Sequence, residues 1–177
     1  MPHIELPADL PGITSAFAFR PETAKPMREL AETLLRGPNT LTSAEREMIA
    51  SYVSAQNDCY FRHASHRAAA ANHLEGDYAL VDAVRDNPES AEITPKLKAL
   101  LSIAGKVTRS GLEVTTADID RARAQGATNV EIHDTVLIAA AFCMFNRYVD
   151  GLDAWTPADA DGYRQRARIV AEHGYRG

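Results

Sequence analysis

The sequence predicts an all-α fold, a helical bundle in a single domain with a proline-rich N-terminal arm, and three observations carry that prediction. Apolar residues recur at three- and four-residue spacing in segments bounded by Gly, Pro and Asn. Two capping boxes, Thr42-Ser-Ala-Glu45 and Thr128-Asn-Val-Glu131, open two of those segments, each side chain satisfying an N–H that the first helical turn leaves unpaired. No stretch sustains the period-two alternation that a half-buried strand needs. At 177 residues the chain is long enough for one domain that buries roughly 70% of its unfolded surface without metal or disulfide staples.

Residues 1–22 hold Pro2, Pro7, Pro11 and Pro21 with Gly12, a density of breakers that predicts an extended arm, and residues 23–177 form the helical domain. Met27, Leu30, Leu34 and Leu35 mark a first helix from Thr23, stopped by Gly37-Pro38. The first capping box opens a helix carrying Met48, Ile49, Tyr52 and Val53. Asn57-Asp58 breaks or caps before a helix from about Cys59 to Leu74, and a shorter one over Tyr78 to Val84 closes at Asn87-Pro88. Thr94-Pro95 supplies an N-cap and an N1 proline for a helix running to Gly111, and Thr116 caps a short one ending at Gly126. The second capping box opens the most apolar helix, whose Val136 to Phe145 segment is apolar all round and therefore expected at the centre of the bundle. After Gly151 and Pro157 a last amphipathic helix runs to about Gly174.

Composition narrows the function. Nineteen basic against twenty-four acidic residues give a net charge of −5, with the basic residues scattered, so nucleic acid is not an expected partner. The N-terminus lacks a basic, then apolar, secretory pattern, and the longest apolar run is about half the ~20 residues needed to span a bilayer. The expected location is the cytoplasm, away from membranes, with Cys59 and Cys143 as thiols. Cys143, within Ala-Ala-Ala-Phe-Cys-Met-Phe, reads as core, and Tyr148 and Trp155 as packing residues.

One segment carries chemistry. On a helix, positions i, i+3, i+4 and i+7 share a face, which groups Cys59, Arg62, His63 and His66. Cys59 at a helix N-terminus beside Arg62 is expected to hold a lowered thiol pKa and to act as a nucleophile. His66 is then the proton acceptor, Glu47 on the preceding helix its orienting group, and Arg62 and His63 the substrate-binding side chains. A metal site built from Cys59, His63 and His66 lacks a supporting second cysteine pair, so neither metal nor other cofactor is implied.

At these residues the chain resembles the alkyl hydroperoxidase D-like branch of the carboxymuconolactone decarboxylase superfamily, whose motif is Glu, eleven residues, Cys-x-x-Cys, three residues, His. Glu47, Cys59 and His66 fall in that register. Phe-Arg-Pro-Glu-Thr-Ala-Lys-Pro (19–26), Glu-Ile-His-Asp-Thr-Val-Leu-Ile-Ala-Ala-Ala-Phe (131–142) and Phe-Asn-Arg-Tyr-Val-Asp-Gly-Leu (145–152) resemble its peroxidase-related group. The resemblance implies an all-α domain that self-associates, with the proline-rich arm and the aromatic C-terminal region as interface material. It also implies a His and Glu proton relay serving two cysteines that cycle between dithiol and disulfide. The cysteine that attacks peroxide in that family is replaced here by Arg62, and Cys59 is its surviving partner.

Three functions follow. The first is a thiol-dependent, peroxiredoxin-type peroxidase in which Cys59 works with the His66 and Glu47 relay and is recycled by Cys143 or an external thiol reductant. The second is a redox-free lyase of the decarboxylase kind, acting on a small carboxylate held by Arg62. The third is a non-catalytic relative. The activated-thiol argument puts the first ahead.

Overall fold

The computed structural model describes residues 1–176. Among them are nine α-helices and one 3₁₀ turn, with no strand: α1 (Ile13–Phe19), α2 (Pro21–Arg36), α3 (Ser43–Gln56), α4 (Tyr60–His73), α5 (Tyr78–Asp86), α6 (Pro95–Arg109), the 3₁₀ turn Gly111–Glu113, α7 (Thr116–Ala124), α8 (Asn129–Gly151) and α9 (Ala160–His173). No helix among the described residues is long and apolar enough to cross a membrane.

Both predicted capping boxes form. Thr42 Oγ1 accepts from the Glu45 N–H at 3.2 Å while Glu45 accepts from the Thr42 N–H at 2.8 Å, and Thr128 and Glu131 repeat the exchange at 3.1 and 2.7 Å. Each cap is worth about 1 kcal/mol. Glu131 does more than cap: fully buried, it also accepts from Lys96 at 2.7 Å and Thr40 at 2.8 Å. It thereby ties the start of α8 to α6 and to the α2–α3 loop. A third box, Thr115 with Asp118, opens α7 one residue before the expected cap.

Residues 13–19, expected within an extended arm, are helical. The breakers at 11, 12 and 21 bracket a breaker-free stretch, Ile-Thr-Ser-Ala-Phe-Ala-Phe, and Pro21 sits at N1 of α2, where a missing N–H costs nothing. Ile13, Ala16 and Phe17 are buried, so α1 is a packed helix.

The core forms around α3, which packs on α2, α4, α5, α6 and α8. Leu35, Ile49, Leu100, Leu101, Ile103, Ile138, Phe142 and Phe145 are among its most completely enclosed side chains. The apolar segment of α8 was expected to be buried all round; instead Ala140 is exposed and Met144 is 46% exposed, because α8 packs on α6 and α3 along one side.

Candidate functional site

The site grows from the hairpin of α3 and α4. Asn57 ends α3, Asp58 turns the chain with φ +56°, and Cys59 caps α4. Three pairings run in opposite directions along the two helices: Cys59 N–H donates to Ser54 O at 3.0 Å, His63 Nδ1 lies 3.1 Å from Ser51 Oγ, and His66 Nδ1 lies 2.6 Å from Glu47 Oε2. The helices are therefore antiparallel, and the expected pairing of Glu47 with His66 is made between side chains that are 1% and 2% exposed.

Position by position, the shared face divides. Helical positions advance by about 100° per residue, so Arg62 and His66 lie on one flank of the stripe and Cys59 and His63 on the other. Arg62 and His66 line a cavity of about 60 Å³. Cys59 and His63 line a separate open cleft of about 460 Å³ with Tyr163 of α9. Among the described residues no hydrogen bond joins Cys59 to His66.

Within the first cavity His66 donates its Nδ1–H to Glu47, which leaves Nε2 with no partner among the described residues. Burial first, and then the neighbouring Arg62 charge, push the His66 pKa below its ordinary value against the pull of Glu47, so the ring is neutral at neutral pH and Nε2 is open to accept a proton. Glu47 accepts a second hydrogen bond, 2.6 Å, from the hydroxyl of Tyr175, whose ring stacks on His66 at 6.0 Å between centroids.

Arg62 is the unusual member. It is 7% exposed, has no carboxylate partner and no side-chain hydrogen bond among the described residues, and its Nε is buried without a partner. Its guanidinium lies over the rings of Phe142 and Phe145, at 5.1 and 5.3 Å from their centroids. A buried cation left without an anion costs several kcal/mol, and cation–π contacts return only about 1–2 kcal/mol of that. Arg28 and Arg166 line the same cavity, whose remaining wall is largely apolar, with Phe17, Met27, Phe61 and Val170. The arrangement suits a small anion with an apolar body, beside a base. At roughly 10–15 Å³ per water, the cavity has room on the order of four waters.

Cys59 does not have the environment expected of an activated thiol. Although it stands at a helix N-terminus, it is 1% exposed, and burial pushes its pKa up to about 12 against the pull of the Arg62 N–H and guanidinium. Burial outweighs the partial charge of the helix end. His63 is also shifted down by burial, and its Nε2 has no partner. Cys143 is a buried free thiol on α8, in contact with Asn57 at 3.4 Å and with the Thr108 carbonyl at 3.9 Å.

Tyr175, Arg28 and Arg166 were not identified from sequence. Arg28 and Arg166 read as ordinary charges of amphipathic helices. Tyr175 follows the break at Gly174, and the single local signal was an aromatic residue beyond a helix stop.

No family model matches the chain, and no curated protein does. Solved structures do. The chain resembles an uncharacterized peroxidase-related protein from Silicibacter sp. TM1040, with 29% identity and a TM-score of 0.77 over 87% of this chain and 78% of that one. It also resembles an uncharacterized peroxidase-related protein from Ralstonia eutropha JMP134, described as an alkylhydroperoxidase AhpD core. That likeness has 28% identity and a TM-score of 0.79 over 90% of this chain and 82% of that one.

Proposed function

We propose, on the premise that this chain belongs to the alkyl hydroperoxidase D-like, peroxidase-related superfamily, that its working site is the Arg62–His66 cavity and that it performs redox-free acid–base chemistry on a small organic carboxylate. The observation that carries this reading is the buried Arg62 guanidinium, which has no carboxylate partner among the described residues and lines one cavity with a neutral histidine whose Nε2 is unengaged among them. A bound carboxylate supplies the missing counterion. His66 Nε2 then takes a proton from the carbon or hydroxyl beside that carboxylate. The electron pair of the broken bond stays on the substrate, next to Arg62, and the new imidazolium is stabilised by Glu47 through Nδ1–H. Return of the proton to a different atom completes a rearrangement. In a substrate with an electron-accepting group β to the carboxylate, the bond to the carboxylate carbon breaks instead, its electron pair passes to that group as carbon dioxide leaves, and a solvent-derived proton fills the vacated carbon, completing a decarboxylation.

Thiol peroxidase chemistry at Cys59 is the competing reading, favoured by the peroxidase-related names of both neighbours. Against it stand the buried thiol with its raised pKa and the lining of a different cleft. Thermal unfolding with acetate, pyruvate and malonate, together with intact mass after mild peroxide, separates the two. A carboxylate at about a hundred times its Kd should raise the midpoint by about 5–10 °C in the parent and in Cys59→Ser, and leave Arg62→Met unmoved. Absence of any carboxylate protection, with a one-oxygen mass gain on Cys59, overturns the proposal in favour of the peroxidase.

A further inference from the structure

We propose that Tyr175 is a positioning residue for the Glu47–His66 pair, carried into the cavity by a C-terminal strap, Gly174–Arg176, that is anchored on α2. The inference deepens the acid–base reading of the cavity and rests on it for its functional meaning, though its geometry stands apart from the identity of the substrate.

Tyr175 touches both members of the pair: its hydroxyl donates to Glu47 Oε1 at 2.6 Å and its ring stacks on His66 with planes 23° apart. Glu47 has two oxygens to satisfy in a fully enclosed position. Oε2 receives Nδ1–H of His66, and Oε1 has no partner among the described residues other than Tyr175. A half-satisfied buried carboxylate is costly and free to turn about its last bond, exchanging the oxygen that faces His66. The tyrosine hydroxyl removes that freedom. Burial, followed by the adjacent Glu47 charge, pushes the Tyr175 pKa well above its ordinary value, so the hydroxyl remains a donor throughout the neutral range.

The strap is built for this placement. Gly174 has φ +77°, a conformation that favours glycine, and a Cβ there would push aside the Glu32 carboxylate that anchors the strap. The Tyr175 N–H donates to Glu32 Oε2 at 2.7 Å, and Arg176 pairs with Glu29 at 2.8 Å. Upstream, Arg36 donates to the carbonyls of Val170 and Ala171 at 2.9 and 3.1 Å, fixing the end of α9 on the same helix. Glu29, Glu32 and Arg36 share one face of α2, spaced by three and four, which makes α2 a rail for the strap.

The readout is the titration of His66, followed by imidazole ¹⁵N NMR and assigned with His66→Gln. The charged and titratable groups that face His66 are Arg62 and His63 on its own helix, Glu47 on α3, Tyr175 on the strap, and Arg28 and Arg166 across the cavity. Tyr175→Phe keeps the ring and removes the donor, so Glu47 becomes a stronger partner for the imidazolium and the His66 midpoint should rise by about 0.5–1 unit. Arg176→Ala, which loosens the strap without touching the cavity, should move it the same way by less and keeps the test available if Tyr175→Phe folds poorly. A His66 midpoint unchanged in both variants overturns the inference, since a tyrosine that only filled space would leave the titration alone. If the shift appears while no carboxylate binds the parent, the positioning role stands and the substrate reading falls; if carboxylates bind and the shift is absent, the positioning role alone falls.

Discussion

Replacing Arg62 by methionine should make the protein more stable and its cavity useless. Arg62 is 7% exposed and carries a charge with no carboxylate partner among the described residues. A buried charge without an ion pair costs about 3–5 kcal/mol, of which the two ring contacts at 5.1 and 5.3 Å return about 1–2 kcal/mol and the Glu47 charge behind His66 a smaller part. Methionine fills similar volume between Phe142 and Phe145 with no charge, so Arg62→Met should gain about 1–4 kcal/mol. For a domain of this size that is roughly 2–4 °C per kcal/mol, or a rise of about 2–16 °C in the thermal midpoint without ligand. Scanning calorimetry of the ligand-free parent and variant at low salt reads it directly. A midpoint that falls by several degrees would mean that Arg62 is a structural member of the core, and the argument from its missing anion would fail.

Three further outcomes follow from the same groups. Cys59, with its pKa moved from 9.0 to about 12, has three units less acidity than a free thiol, so its alkylation in the native protein at about pH 8 should be roughly a thousandfold slower than in the unfolded chain; rapid labelling of native Cys59 with iodoacetamide contradicts the burial argument. His63 and His66 both have pKa values lowered by burial from 6.5, so the unfolded chain binds protons that the folded one refuses as pH drops through that value. Stability is therefore full above about pH 7 and falls as pH drops towards about 5.5, and a thermal midpoint that rises over this interval reverses the sign. Gly174→Ala should release the strap, because φ +77° disfavours a side chain and a Cβ would displace the Glu32 carboxylate that holds the Tyr175 N–H, and hydrogen exchange of the Tyr175 amide should be faster than in the parent; equal exchange rates refute the anchored strap.

The helices were legible where local chemistry decides them. Thr42 with Glu45 and Thr128 with Glu131 are caps that form from four consecutive residues, and the structure makes both. Helix α1 escaped because the prolines around it were counted together rather than by position; Pro11 and Pro21 frame a helix that neither interrupts. Met144 escaped for a different reason: an all-apolar segment reads as central, but which of its sides is covered depends on neighbours far away in sequence. In the site, the spacing that brings Glu47 to His66 was readable, since it follows from two helices joined by a short turn. The split of the stripe between two hollows was not readable: at about 100° per residue His66 and Cys59 are only about 20° apart, and neighbouring elements decide where space is left. Burial of Cys59 was not readable. A helix N-terminus and an adjacent arginine lower a thiol pKa only while water or a partner stabilises the thiolate, and tertiary packing removes the water. Tyr175 had the weakest local signal, because its function depends on the chain end folding back on α2.

The most direct measurement is a crystal structure of the parent soaked with a small carboxylate such as pyruvate. The account predicts the carboxylate paired with the Arg62 guanidinium, its apolar end towards Phe61 and Val170, with His66 Nε2 within hydrogen-bond reach and the Tyr175–Glu47–His66 chain intact. A carboxylate bound elsewhere with the Arg62 cavity empty, or a peroxide-soaked crystal in which Cys59 carries an added oxygen, would contradict it.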